Sequence, residues 1–279
     1  MPPRTDGGEA PAPIVIVAPN PGPLTLDGTR TYVVGAERVA VIDPGPARAA
    51  HLDAVVAAVA GRAVEAVLLT HAHPDHAAGA AAVAERLGAP VAASALALGR
   101  AGLEGRVLHD GEEVRLAPGE GALVAVATPG HSRDHLAFWK RPERWLFTGD
   151  LVLGEGSSAV LHPDGRVGEY LASLRRLEAL RPSRLFPGHG PPVDAAEARL
   201  RAYREHRRER ERQVEAAIAA GAATPAEIRE KVYGSLPPGL ARAAEASVSA
   251  HLYHLRSRGV AAPEPGPGFD ETDDQESGA

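Results

Sequence analysis

The chain has 279 residues, 44% hydrophobic and 24% charged, an ordinary globular balance that allows one large domain with a small appendage. It contains no cysteine, which excludes a disulfide framework, thiolate zinc sites and cysteine nucleophiles together. The formal charge of −6 resides in residues 263–279, which hold six acids and neither Lys nor Arg, so the rest of the chain is net neutral. Residues 1–12 lack the apolar run of a signal peptide, and no segment approaches the roughly 18 apolar residues of a membrane helix. A cytoplasmic location with no membrane partner is therefore expected.

In chain order, residues 1–12 are expected to form a disordered tail. Residues 14–17, 32–34 and 39–42 are short β-branched runs, the last two placed as a hairpin around 35–38. Asp43-Pro44-Gly45-Pro46 ends the strand, and an Ala-rich helix follows over 48–60. Residues 64–69 form a continuous apolar run suited to a buried strand. A helix is predicted over 77–87, stopped by Gly88, with the next strand at 90–93. Further strands fall at 123–127 and 145–147, and a helix at 169–180 precedes a last strand at 184–186. This alternation predicts a layered α/β domain over residues 13–195. Beyond it, 195–220 reads as a long charged helix. Thr224-Pro225 reads as the capped start of a helix over 226–232, and 241–258 as a third helix. Residues 196–262 are thus expected to be a small helical domain, and 263–279 an acidic disordered tail.

The chemistry concentrates where the buried strand at 64–69 ends. His71-x-His73-x-Asp75-His76 places three imidazoles and a carboxylate within six residues, the ligand types that a borderline divalent ion such as zinc accepts. Alternate spacing sends His71 and His73 towards one ion, while Asp75 and His76, displaced round the bend, reach a second. His131 in Thr128-Pro129-Gly130-His131, Asp150 in Thr148-Gly149-Asp150 and His189 in Pro187-Gly188-His189-Gly190 each stand at the end of a predicted strand, beside glycines that permit tight turns. Together they make seven ligands, five His and two Asp, enough for two metals. Asp43, Asp134 and His135 are candidates for holding those ligands from behind, Asp43 by accepting an imidazole N–H. The other histidines (51, 109, 162, 206, 251 and 254) are left to structural roles.

H-x-H-x-D-H followed by separate His, Asp and His motifs resembles the metallo-β-lactamase superfamily, over roughly residues 14–190. Within it, the opening from Asn20-Pro-Gly-Pro to Tyr32, the Leu151–Gly156 segment and the helical appendage resemble the β-lactamase-like protein 2 group. The resemblance implies an αββα sandwich with a C-terminal winged-helix-like domain. It implies two zinc ions, or other divalent metals, with His71, His73 and His131 on one, Asp75, His76 and His189 on the other, and Asp150 bridging. A hydroxide between the metals would be the nucleophile, and Asp75 would orient it or pass a proton to the leaving group. Two positions depart from the group's pattern, Arg30 where Asn is usual and Ala72 where an aromatic is usual, both near the expected approach of substrate.

The resemblance implies several substrates. The leading expectation is a single-stranded RNA endonuclease-like phosphodiesterase. The alternative is a thioester hydrolase (acyl or glyoxalase II-like), and the third an iron-dependent persulfide dioxygenase. Residues 199–262 carry twelve Lys and Arg against seven Glu, with Arg207, Arg208, Arg210 and Arg212 clustered, which favours RNA. Glu205, Glu209 and Glu211 interleave with that cluster, as on any solvated helix.

Overall fold

The computed structural model describes residues 11–266 and 268; most of both expected tails lies outside the described residues. Two sheets pack face to face. The first has the order β1 (Ile14–Val17), β2 (Arg30–Val34), β3 (Arg38–Ile42), β4 (Ala63–Leu68), β5 (Val91–Ala93), β6 (Arg106–Val107). The second comprises β7 (Glu113–Arg115), β8 (Ala122–Ala127), β9 (Leu136–Lys140), β10 (Trp145–Gly149) and β11 (Arg184–Pro187), again in sequence order. β1 to β3 form an antiparallel meander, as do β7 to β10. From β3 to β6 and from β10 to β11 the pairing is parallel, which requires crossover connections. Helices α1 (Ala49–Val59), α2 (Pro74–Ala77), α3 (Ala80–Leu87), α4 (Ala95–Ala101) and α5 (Val167–Ala179) supply them.

Strand alternation sorts the side chains into layers. Val33, Val39, Val41 and Val67 point outward to Leu52 and Val55 of α1 and Val83 of α3. Tyr32, Val34, Ile42 and Leu68 point inward to Leu123, Phe138, Phe147 and Phe186 of the second sheet. Tyr32, Phe147 and Phe186 meet at the sandwich centre with ring centroids 4.9–5.7 Å apart. The outer face of the second sheet, including Val124, Trp139 and Leu185, is covered by α5 and by the start of α6 (Ala196–Ala219), through Tyr170, Leu174, Leu200 and Tyr203. Further along α6, Val214 and Ala217 join another core with Ile228 of α7 (Pro225–Tyr233) and Val248, Leu252 and Leu255 of α8 (Pro238–Ser257). Among the described residues no helix is long and apolar enough to cross a membrane.

Three differences from the sequence reading have local causes. The helix expected over 77–87 is two helices, because the chain turns at Gly79. The Gly79 N–H donates to Gly45 O (2.9 Å), and a Cβ there would stand 2.6 Å from Leu52. β6, β7 and β9 and the short α4 were not anticipated. β6 and β7 are two and three residues long, and β9 is buried along its whole length, so its Leu-Ala-Phe-Trp-Lys shows no alternation. The third difference is Arg207, expected in an exposed basic cluster but only 3% exposed.

The layering places several chain ends on one edge of the sandwich. The exits of β4, β8, β10 and β11 and the entry to β2 lie there together, joined by an isolated bridge between Thr29 and His189.

Candidate metal centre

The exit of β4 runs from Thr70 into His71-Ala72-His73, and Pro74 then starts the single turn of α2, with His73 at its N-cap. That turn carries Asp75 and His76 round to the other side of His71. The β8–β9 turn brings in His131, the end of β10 brings Asp150, and the end of β11 brings His189. The seven residues singled out in the sequence therefore converge.

The donor atoms of each of three trios lie within 4.8 Å of one another: His71, His73 and His131; His71, His76 and Asp150; Asp75, His76 and His189. His73 Nδ1 stands 2.9 Å from His71 Nε2 and 3.1 Å from His131 Nε2. His189 Nε2 lies 3.2 Å from His76 Nε2, from Asp75 Oδ2 and from Asp150 Oδ2.

The partners behind these rings assign their protons. Thr70 Oγ1 donates to Asp43 Oδ2 (2.7 Å), so it accepts from His71 Nδ1–H (2.9 Å). His76 Nδ1 donates to Asp43 Oδ2 (2.9 Å), His131 Nδ1 to Ala159 O (2.8 Å) and His189 Nδ1 to Gly28 O (3.3 Å). At His71 and His131 the Nε2 facing the centre then presents a lone pair, and at His76 and His189 it does so once the proton held there by the carboxylates has left. Lone pairs about 3 Å apart repel unless a cation lies among them. Asp150 Oδ1, buried and without a hydrogen-bond partner, faces the same space. Gly188 leaves room for it, since a Cβ there would come within 2.5 Å of that oxygen and 2.6 Å of His76 Cε1. The donor set thus fits divalent ions bound through nitrogen and oxygen.

Burial, reinforced by the neighbouring imidazoles, drives His71 well below the ordinary histidine range, and burial lowers His73 as well. Burial acts against the charge on His189 and His76 too, but the carboxylates overcome it. His189 is raised to about 9 by Asp150 and Asp75, and His76 is raised well above its usual value, chiefly by Asp75 and Asp150. Asp75 and Asp150 remain ionised despite burial, held down mainly by His76 in the first case and His189 in the second. The side of the centre near Asp75 calls for positive charge.

Outer groups complete the frame. Asp43 also accepts the Thr70 N–H through Oδ1 (2.8 Å). His135, kept neutral by burial, accepts the Asp150 N–H at Nε2 (3.2 Å) and bonds Thr128 Oγ1 through Nδ1 (2.8 Å). Asp134 Oδ2 accepts the Ala72 N–H (2.9 Å), and Arg100 ties Asp134 to Asp164. One residue, Thr29, escaped the sequence reading. Thr29 Oγ1 accepts from Asn20 Nδ2 (2.9 Å) and donates to Asp75 Oδ2 (2.9 Å). The Asn20-Pro-Gly-Pro opening, noted only for its resemblance, was the available signal. Arg30, expected near the approach of substrate, forms a two-pronged pair with Asp27 (2.8 and 2.7 Å) and is itself buried.

A two-layered sheet sandwich flanked by helices, with such a donor cluster at one edge, defines a class: metal-dependent hydrolases of layered α/β architecture. Residues 24–189 match the metallo-beta-lactamase superfamily, and residues 224–266 match the beta-lactamase associated winged helix domain. The chain belongs to the metallo-β-lactamase superfamily, and it is a hydrolase of that superfamily with a C-terminal winged helix domain. It is 33% identical to a beta-lactamase-like protein 2 homolog of Caenorhabditis elegans, over 88% of this chain and 84% of that one. It is 35% identical to an atrochrysone carboxyl ACP thioesterase of Aspergillus fumigatus, over 83% of this chain and 76% of that one. Among solved structures, a metallo-beta-lactamase family protein of Thermus thermophilus superposes with a TM-score of 0.71 at 27% identity. That match covers 88% of this chain and 94% of the other.

Proposed function

We propose that the chain is a two-zinc hydrolase of thioesters. His71, His73 and His131 would hold one ion, Asp75, His76 and His189 the other, with Asp150 between them. Bound there, a pair of divalent ions supplies an activated water near neutral pH and charge stabilisation at the reacting oxygens. The chain does the rest. Asp43, Thr70 and the carbonyls of Ala159 and Gly28 hold the imidazoles in one tautomer. Asp75, partly open to solvent, keeps Oδ2 oriented by Thr29 and is the group placed to orient the nucleophile or move a proton to the leaving group.

One observation carries the thioester reading over RNA: the appendage directs several of its arginines at its own chain. Arg204 pairs with Glu178, Arg212 with Glu209, Arg256 with Glu264 and Arg258 with Glu211, while Arg207 is buried. Such arginines do not form a stripe for phosphates. The carrier-protein thioesterase among the relatives supports the same choice.

The test is an activity panel on zinc-loaded protein, with acyl-coenzyme A and acyl-carrier-protein thioesters beside short single-stranded RNA. Thioester cleavage is expected, with Asp75→Ala lowering kcat by about 10²–10⁴-fold. Cleavage of RNA alone would replace this reading by the endonuclease one. Full turnover by the variant would remove Asp75 from the mechanism.

A further inference from the structure

Arg199, Tyr203 and Arg207 recur every four residues of α6 and therefore share one face. All three end on the irregular stretch between β10 and α5. Arg199 donates to Leu153 O from Nε and Nη2 (3.1 and 3.0 Å) and to Gly156 O from Nη2 (3.1 Å). Tyr203 Oη accepts the Leu153 N–H (3.0 Å). Arg207 donates through Nη2 to Ser158 O, and its guanidinium lies 5.0 Å from the ring centre of Tyr170, whose hydroxyl in turn donates to Leu151 O.

The far end of this stretch returns to the metal centre. Ser158 Oγ donates to the carbonyl of Asp150, and Ala159 O accepts from His131 Nδ1–H (2.8 Å). A histidine ligand aims its lone pair only as well as the group behind its other nitrogen is held. Here that group is a loop carbonyl outside any helix or strand, one residue from the carbonyl that Arg207 grips.

We infer that Arg207 is a positioning residue for the metal centre: through Ser158 and Ala159, helix α6 sets the ring of His131. This gives the C-terminal helices a part in the chemistry that needs no contact with substrate. It also explains why a basic residue on a charged helix is buried: its partner is the loop behind the site. The inference rests on the two-metal reading above.

The experiment uses the full chain, freed of metal and titrated with Co²⁺ while visible absorption and bound-ion stoichiometry are followed. The variants are Arg207→Met, Arg207→Lys and, as a control on the same helix, Arg204→Met, whose guanidinium pairs with Glu178 instead. Arg207→Met is expected to weaken one of two sites by about 10–100-fold, the size of loss typical when an outer partner of a ligand is removed, and to leave the other unchanged. Arg207→Lys should recover part of that loss, and Arg204→Met should match the parent chain. Two unperturbed Co²⁺ sites in Arg207→Met would overturn the inference, however far its melting temperature falls. Should Arg207→Met fail to fold, Arg207→Lys decides the matter by the same titration, with two parental sites counting against it. A parent chain that takes up fewer than two ions would instead sink the two-metal reading itself.

Discussion

The two halves of the candidate metal centre are built differently. The half made by His71, His73 and His131 is a set of imidazoles, with His71 and His73 kept neutral by burial; its outer partners include a hydroxyl on His71 and a carbonyl on His131. The half made by Asp75, His76 and His189 has a carboxylate within its donor set and another, Asp43, behind His76. There the imidazoles gain protons when no cation is present. A neutral pocket and an anionic one share a boundary at Asp150. The first is ready for an ion with little proton release, whereas the second must exchange protons for its ion.

The strongest blow to this contrast is Asp150→Ala, which removes the carboxylate standing between both halves. It should weaken both ions beyond the ~10–100-fold effect of an outer-partner mutation, and metal analysis after dialysis would read it directly. Retention of two ions would show that Asp150 is not shared. Asp43→Ala should fall harder on one half by comparison, because Asp43 holds His76 directly and His71 only through Thr70. Losing the acceptor behind His76 should cost the anionic half about 10–100-fold in affinity. The same change strips the Thr70 N–H and hydroxyl of their acceptor, so the melting temperature should fall too, by a loss of about 1–3 kcal/mol for each buried group left unpaired. Equal weakening of both ions would erase the distinction.

Acidity should separate the halves more gently. With His189 raised to about 9, ion uptake at the anionic half must release a proton at any lower pH. Its affinity should therefore fall at least about tenfold per pH unit below 9, and more steeply where His76 gives up its proton as well, while the neutral half stays flat over the same interval. Calorimetric titration in two buffers of different ionisation heat would count those protons. Thr29→Val is the mildest case. It removes one hydrogen bond to Asp75 and should reduce kcat by a few-fold to about tenfold, with Thr29→Ser restoring it.

What could be read beforehand follows from where each kind of information is stored. A metal site writes itself in residue identity, so His71, His73, Asp75 and His76 were legible as one cluster. Glycine-flanked His131, Asp150 and His189 were legible as strand ends. Asp43 was legible as an acceptor candidate because it ends a strand in an Asp-Pro-Gly turn. The hydrogen bond from Thr29 to Asp75 spans 46 residues and uses a side chain with no ligand chemistry of its own, so nothing local announced it. Arg207 was misread for a related reason. Its neighbours Glu205, Glu209 and Glu211 make the same charge pattern whether the helix faces solvent or a loop, and only tertiary packing distinguishes the two. The uninterrupted burial of β9 likewise erased the period-two signal that marked the other strands.

The single span of α6 has a consequence for how the molecule comes apart. One rigid rod contributes Leu200 and Tyr203 to the core over the second sheet and Val214 and Ala217 to the core of the C-terminal helices. Neither core can melt while the other keeps its share of that rod intact without fraying a helix in its middle, where each broken turn forfeits bonds on both sides. Sheet sandwich and C-terminal helices should therefore unfold as one cooperative unit, with a single heat-absorption peak where two family domains would suggest two.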